Sequence, residues 1–275
     1  MNRYELGIVD TRNIINSINE LFGVDFKDFA LTSFKRRVEI FIDNNKLHDA
    51  DGFVNKLKTD KSFFDKFLFE FAVKGTEMFR DPALWRIIKE NFMPAIKGSG
   101  TGFKILFAGN EFGEDLYSLL IFLREEGLLD KVRIFATVYN DSISDYIKTG
   151  EFDPKLIETN EANYNRANGI KDFSDYYKSE ASKTLLDTSL IENVTFLKQN
   201  TIFDNYPKGV KFVFFRNQMI YYNQILSDKI MRVIYDSLVP GGHLFLGSKE
   251  SLENLNRNKD FILVDKSENI YKRKL

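Results

Sequence analysis

The chain has 275 residues, 43% of them hydrophobic, enough for one large or two ordinary domains built around a sizeable core. It contains no cysteine, which excludes disulfides, thiolate catalysis and cysteine-held metal centres and fits a reducing cytoplasm. Thirty-nine basic residues against forty acidic ones leave no global attraction for nucleic acid, and two distant histidines, His48 and His243, argue against a histidine metal site or a Ser-His-Asp triad. No run approaches the roughly 18 uninterrupted apolar residues of a membrane span, and the opening MNRYELGIVD has neither a signal-peptide core nor a transit-peptide composition.

Residues 1 to about 90 read as helices only. Ile14, Ile15, Ile18, Leu21 and Phe22 lead to Gly23, a helix end. Leu31, Phe34, Val38 and Phe41 keep helical period over 31–42, and this helix carries Lys35, Arg36 and Arg37 in succession. Its basic face is either an ordinary solvated surface or a docking surface for an acidic partner. A third helix includes Phe53, Val54 and Leu57, and a fourth runs from Phe63 to Phe71. The stretch VKGTEMFRDPALW, 73–85, is rich in turn residues, and its Asp81-Pro82 pair favours a turn or helix start. Helical pattern resumes over 83–96 and stops at Gly98-Ser99-Gly100, which marks the domain boundary.

Beyond residue 100 strands and helices alternate. The expected order is strand 104–108, helix 114–126, strand 133–138, helix 141–149, a polar, tyrosine-rich inserted passage 151–189, strand 194–198, strand 211–215 and helix 224–238. Pro240-Gly241-Gly242 should turn into strand 243–247, and 261–264 with 270–272 should close an antiparallel hairpin. This describes an α/β fold with a mostly parallel sheet and an antiparallel edge, the architecture of class I methyltransferases (Rossmann-like), preceded by a small all-helical domain. The expected division is a helical domain over 1–90, an interdomain segment to about 100, and an α/β domain over 101–275.

The turn after the first strand, Gly109 to Gly113, is the candidate cofactor site, because in open α/β sheets ligands lie at the carboxyl ends of the strands. GNEFG is not a G-x-G-x-x-G fingerprint and no G-K-[ST] follows, so a phosphate cradle is disfavoured. Glu114 and Asp115 in the first helical turn are hostile to an anion and suit a cation, such as an amine or sulfonium.

Four ordered motifs carry a family resemblance: T-x-x-F-R-D-P at Thr76–Pro82, G-x-x-x-G-E-D-x-Y-S-L at Gly109–Leu119, F-F-R-N-x-x-I-Y-Y at Phe214–Tyr222, and L-x-P-G-G-x-L-F-L-G-S-x-E-S-L at Leu238–Leu252. With ANYNRANG and DFSDYY inside 162–177 and the terminal IYKRK, the chain resembles the CheR family nearly throughout. These are S-adenosylmethionine-dependent methyltransferases that esterify glutamate side chains of chemotaxis receptors, with S-adenosylhomocysteine as product. The resemblance implies that Arg80 and Tyr221 border the methyl-transfer site and that Thr76, Glu114, Asn200, Arg216 and Asn217 surround the cofactor, which Gly109 and Gly113 of the turn would let approach closely. It also implies a glutamate-bearing protein partner, a chemoreceptor cytoplasmic domain, for which the basic Lys35, Arg36 and Arg37 are the expected docking surface.

The sequence departs from the family in the cofactor pocket. Asn110, Glu111 and Phe112 stand where small or polar residues are usual, Lys74 replaces an asparagine, and Val138 in FATVYND occupies the place of an acid that would bind the ribose hydroxyls. Two readings therefore stay open at this point: a glutamate O-methyltransferase in which Asn140 or Asp141 serves the ribose, and a non-catalytic binding module that keeps the fold without the cofactor.

Overall fold

The computed structural model describes residues 4–72, 77–109, 113–180, 183–199 and 206–275. Four helices open the chain: α1 (Ile8–Phe22), α2 (Leu31–Asn44), α3 (Ala50–Thr59) and α4 (Lys61–Phe71). Their ends follow local chemistry. Gly23 takes φ 70° to stop α1, and Asp49 and Asp60 accept the amides of Gly52 and Ser62 to start α3 and α4. Their apolar stripes meet in a phenylalanine core, where the buried Phe67 ring lies 5.2–6.4 Å from Phe26, Phe41, Phe53 and Phe71.

A continuous helical rod follows, made of α5 (Pro82–Ile87), a π-helical turn (Ile88–Phe92) and α6 (Met93–Lys97). The expected helix over 83–96 is present but widened at its centre. Pro94 has no N–H to return to Glu90, and widening the turn is one way a helix absorbs that loss.

The main sheet contains β1 (Phe103–Phe107), β2 (Val132–Val138), β6 (Val194–Lys198), β7 (Val210–Phe215), β8 (Leu238–Leu246), β9 (Phe261–Asp265) and β10 (Ile270–Arg273) in the order β6-β2-β1-β7-β8-β10-β9. The first five are mutually parallel, and β10 and β9 add antiparallel at the edge. Helices α7 (Glu114–Glu125), α8 (Asp141–Thr149) and α10 (Gln224–Ser237) connect the parallel strands. Because the chain leaves β1 toward β2 and later returns to its other side as β7, the carboxyl ends of β1 and β7 form a switch point open to a ligand.

Two expectations change in detail. Pro240-Gly241-Gly242 is not a separate turn: β8 runs through it, and the sheet absorbs it as a register irregularity between Val210 and Phe212, with Gly241 at φ 78°. The inserted passage 151–189, for which the sequence pattern assigns no elements, is ordered over its described residues. It holds α9 (Ile157–Arg166) and a second antiparallel sheet, β3 (Glu151–Phe152), β5 (Lys183–Leu186) and β4 (Tyr177–Glu180), in the order β3-β5-β4.

The helical unit is joined to the sheet by backbone pairing. Ala30 N–H donates to the Tyr221 carbonyl at 2.9 Å, Asn223 N–H to the Asp28 carbonyl at 3.0 Å, and Phe29 forms an antiparallel bridge with Tyr222. His243 sits on β8 with its ring centroid 4.9 Å from that of Phe92; burial and the nearby Lys272 push it down to about 4. No described helix is long and apolar enough to cross a membrane.

Candidate active site

A cavity opens at the carboxyl ends of β1, β2 and β7, lined among others by Phe107, Gly109, Gly113, Thr137, Phe214 and Arg216. Gly113 has φ 100°, and a Cβ there would come 2.9 Å from Ile147 Cγ2, so this position demands glycine on both conformational and packing grounds. A Cβ on Gly109 would lie 3.1 Å from Gln218 Cγ, so its role is to let the segment after β7 pack against the turn. Asn110, Glu111 and Phe112 lie outside the described residues.

Glu114 starts α7 beside this cavity. Its Oε2 is buried and has no hydrogen-bond partner among the described residues, and burial, reinforced by the Asp115 and Glu77 carboxylates, raises its pKa to about 7. A buried carboxylate oxygen left unsatisfied is costly, and a cationic group of a ligand satisfies it. The neighbouring Asp115 points the other way in function: both of its oxygens accept from Arg216 Nη1, at 2.7 and 2.8 Å.

Arg80 sits in the tightly held loop 78–81. Phe79 and Asp81, on either side of it, adopt left-handed backbone at φ 53° and 59°, a conformation that non-glycine residues keep only where surroundings impose it. The imposing contacts come from four directions. Phe79 N–H donates to Ser118 Oγ of α7 at 2.9 Å. Met78 N–H donates to Asn160 Oδ1 at 2.9 Å, and its carbonyl accepts from Asn163 Nδ2 at 3.2 Å, both from α9. The Arg80 carbonyl accepts from Trp85 Nε1 at 2.9 Å and from Arg216 Nη2 at 3.2 Å, and Asp81 Oδ2 accepts from Arg216 Nη2 at 2.6 Å. Arg216, 2% exposed, thus lines the cavity while its guanidinium is committed to Asp115, Asp81 and the Arg80 backbone.

The segment after β7 is held by a second buried carboxylate. Glu250 accepts from the amides of Gly247 at 2.8 Å, Asn217 at 2.8 Å and Met219 at 2.7 Å. Burial raises its pKa and these donors oppose the rise. Asn217, at φ 56°, turns the chain out of the strand so that Gln218 and Tyr221 reach the cavity side. Tyr221, half-buried, lines a small adjoining cavity with Arg37, Tyr139 and Gln218.

The end of β2 departs from the expectation. Val138 is 1% exposed and pairs with Lys198. Asn140 is the N-cap of α8: Oδ1 accepts from Ile143 N–H at 3.1 Å and Nδ2 donates to the Asp65 carbonyl at 3.1 Å, so its carboxamide ties α8 to α4 and is engaged at both ends. Asp141 is exposed and pairs with Lys198 at 2.9 Å. Neither residue is free for a ribose in this arrangement. Lys74, Thr76 and Asn200 lie outside the described residues.

The basic triplet of α2 divides. Arg36 is exposed and Lys35 pairs with Glu39 at 3.6 Å. Arg37 instead donates to the Phe71 carbonyl at 2.7 Å and lays its guanidinium 4.0 Å from the Tyr221 ring centroid. Successive helical residues are about 100° apart, so three in a row cannot share one surface.

The five-stranded parallel core with a cavity at its switch point has the Rossmann-like architecture of class I methyltransferases. Residues 74–269 match the family described as CheR methyltransferase, SAM binding domain. A Pseudomonas putida protein named as methyltransferase Cher3 is 31% identical over 245 residues, covering 89% of each chain. The chemotaxis protein methyltransferases of Listeria innocua (24% over 233 residues, 84% of this chain and 86% of that one) and Vibrio parahaemolyticus (27% over 187 residues, 66% of each) are also similar. The chain belongs to the CheR methyltransferase family, whose cofactor is S-adenosylmethionine.

Among the described residues, the buried Glu114 Oε2, one residue from Gly113 and Asp115 of the cavity lining, has the chemistry to match the ammonium group of that cofactor. At the ribose end, Val138 and the engaged Asn140 offer no carboxylate.

Several positioning residues were not singled out from sequence, among them Asp81, Ser118, Asn160, Asn163 and Glu250. Glu250 lies in the G-S-x-E motif and Asn163 in ANYNRANG, so the signal was present; the contacts that give it meaning span 31 to 85 residues of chain.

Proposed function

We propose that this methyltransferase esterifies glutamate side-chain carboxylates of a protein, a chemoreceptor cytoplasmic domain being the acceptor that the names of its relatives suggest. The observation that carries the reading is the pinned 78–81 loop. Six hydrogen bonds from α7, α9, the end of β7 and Trp85 hold Arg80 between two left-handed residues. Such strain persists where position matters, and an arginine fork suits a carboxylate.

A glutamate is ionised at neutral pH, with a reference pKa of about 4.3, so its attack needs no general base. When bound, the cofactor supplies a methyl group on a positively charged sulfur. The acceptor oxygen forms the new O–CH3 bond as the CH3–S bond breaks, and its negative charge and the sulfonium charge disappear together. The work left to the protein is alignment and exclusion of water, worth effective molarities on the order of 10⁵ M in well-oriented systems. In this reading Glu114 holds the cofactor's amino group, Gly109 and Gly113 admit it closely, and Arg80 and Tyr221 border the transfer. Arg216 and Asn217 position those residues from the end of β7. Thr76 and Asn200 stay assigned to the cofactor by resemblance, whereas Asn140, engaged by Ile143 and Asp65, is withdrawn from the ribose. Docking on α2 rests on Arg36 and Lys35, with Arg37 turned inward.

The test is transfer of labelled methyl from S-adenosylmethionine to purified receptor cytoplasmic fragments, read as base-labile methyl ester. Arg80→Ala should abolish it while calorimetric binding of S-adenosylhomocysteine persists; undiminished esterification by Arg80→Ala removes Arg80 from the site. The competing reading, a binding module without cofactor, draws on Val138 and the engaged Asn140. Absence of binding heat at millimolar S-adenosylhomocysteine would establish it.

A further inference from the structure

We infer that Arg37, carried by the helical unit, is a positioning residue of the methyl-transfer site, because it fixes the Tyr221 ring by stacking on it across the junction between the two units. The inference rests on the placement of Tyr221 at that site proposed above.

Four observations converge on it. The Arg37 guanidinium lies 4.0 Å from the Tyr221 ring centroid, well inside the range of a cation–π contact. Its Nη1 is anchored to the Phe71 carbonyl at 2.7 Å, at the last residue of α4, and the Phe71 ring lies 5.1 Å from the guanidinium. The group is therefore held from behind by the helical unit while it faces the tyrosine.

Tyr221 is approached from the same side through its backbone. Its carbonyl accepts from Ala30 N–H, its neighbour Tyr222 bridges Phe29, and the Phe29 and Tyr222 rings meet edge-on at 5.0 Å. Side chain and main chain of Tyr221 thus both take their placement from residues 29–37.

The place is also right. Arg37 and Tyr221 line one cavity with Tyr139, which follows β2, and Gln218, which follows β7, so this cavity lies at the carboxyl ends of the strands. Gln218 packs against Gly109 of the cofactor turn, which makes the two cavities neighbours through one side chain.

A lysine cannot replace this arginine. It keeps the charge but lacks the planar face that stacks on a ring while its fork donates elsewhere.

The experiment measures kcat for receptor-fragment methylation, the calorimetric affinity for S-adenosylhomocysteine, and the ¹⁹F spectrum of protein carrying 3-fluorotyrosine, with the residue-221 signal assigned by Tyr221→Phe. Arg37→Ala and Arg37→Lys should each lower kcat about tenfold, the scale of a partly desolvated cation–π contact, with cofactor affinity unchanged. The residue-221 ¹⁹F resonance should shift in both variants. Combining Arg37→Ala with Tyr221→Leu should cost little more than Tyr221→Leu alone. Circular dichroism identifies a variant that has failed to fold, in which case Arg37→Lys decides. Wild-type kcat or an unshifted resonance in a folded Arg37 variant overturns the inference. If Tyr221→Leu, which removes the ring, is itself fully active, the placement of Tyr221 fails instead, and the ¹⁹F shift still reports whether Arg37 orders the ring.

Discussion

A carboxyl group that ordinarily titrates near 4.5 and here titrates near 7 makes Glu114 sensitive to pH in two measurable ways. The folded state holds its proton more tightly than the unfolded chain does. Stability therefore falls as pH rises between about 4.5 and 7, and the penalty is complete above that range. Glu114→Gln removes the penalty, on the order of 1–3 kcal/mol. It should raise the melting temperature of the ligand-free protein at pH 8 and leave it unchanged at pH 4, which thermal denaturation at the two pH values checks. Binding runs the opposite way under the role proposed for Glu114, in which its ionised carboxylate meets the cofactor's ammonium group. Affinity for S-adenosylhomocysteine should tighten as pH rises through 7 in the wild type and be weaker and flat in Glu114→Gln, by calorimetric titration. Acidic character at 114 was legible in sequence from its place in the first helical turn. Its isolation was not, because burial is a property of the folded surroundings.

Elements meet at Arg216. The end of β7, the start of α7 and the 78–81 loop share one guanidinium, bonded to Asp115, Asp81 and the Arg80 carbonyl. Arg216→Ala strands Asp115, which is 5% exposed, and a stranded buried charge costs about 3–5 kcal/mol. Arg216→Met combined with Asp115→Leu removes both charges from the buried pair and should recover most of that stability in urea denaturation. Methyl transfer should stay low in the double variant, because Asp81 and the Arg80 carbonyl have still lost their donor. Recovery of stability without activity would separate the clamp's role in positioning Arg80 from its role in holding the fold. Resemblance placed Arg216 among the residues around the cofactor, and it does line the cavity. What its side chain grips could not be read from sequence, because Asp115 and Asp81 lie 101 and 135 residues away.

At the scale of the molecule the helical unit and the sheet share the wall of one cavity, the one lined by Phe29, Arg37 and Tyr221. Phe29 is 5% exposed and touches Phe26, Phe71 and Tyr222, so it belongs to the phenylalanine core and to the junction at once. Phe29→Ala should cost about 3–5 kcal/mol in chemical denaturation. It should also lower methyl transfer in protein that remains folded, since the backbone bridge that places Tyr221 begins there.

The sequence by itself determined most of the architecture. Apolar runs at 105–108, 134–136 and 212–215 alternate with helical periodicity, and periodicity depends only on which residues are neighbours in the chain. It also showed where the family's motifs lie and where Val138 departs from them. Three matters waited for tertiary structure. The strands of 151–186 are two to four residues long, too short for a periodic signal, and are made by pairing with one another. Asn140, read as a candidate for the ribose, caps α8 and reaches Asp65, a partner 75 residues earlier. Arg37, one of three adjacent basic residues with nothing local to distinguish it, turns inward because Phe71 and Tyr221 stand there to receive it. Pattern along a chain fixes which face a residue occupies, and only the packing of distant segments fixes what that face meets.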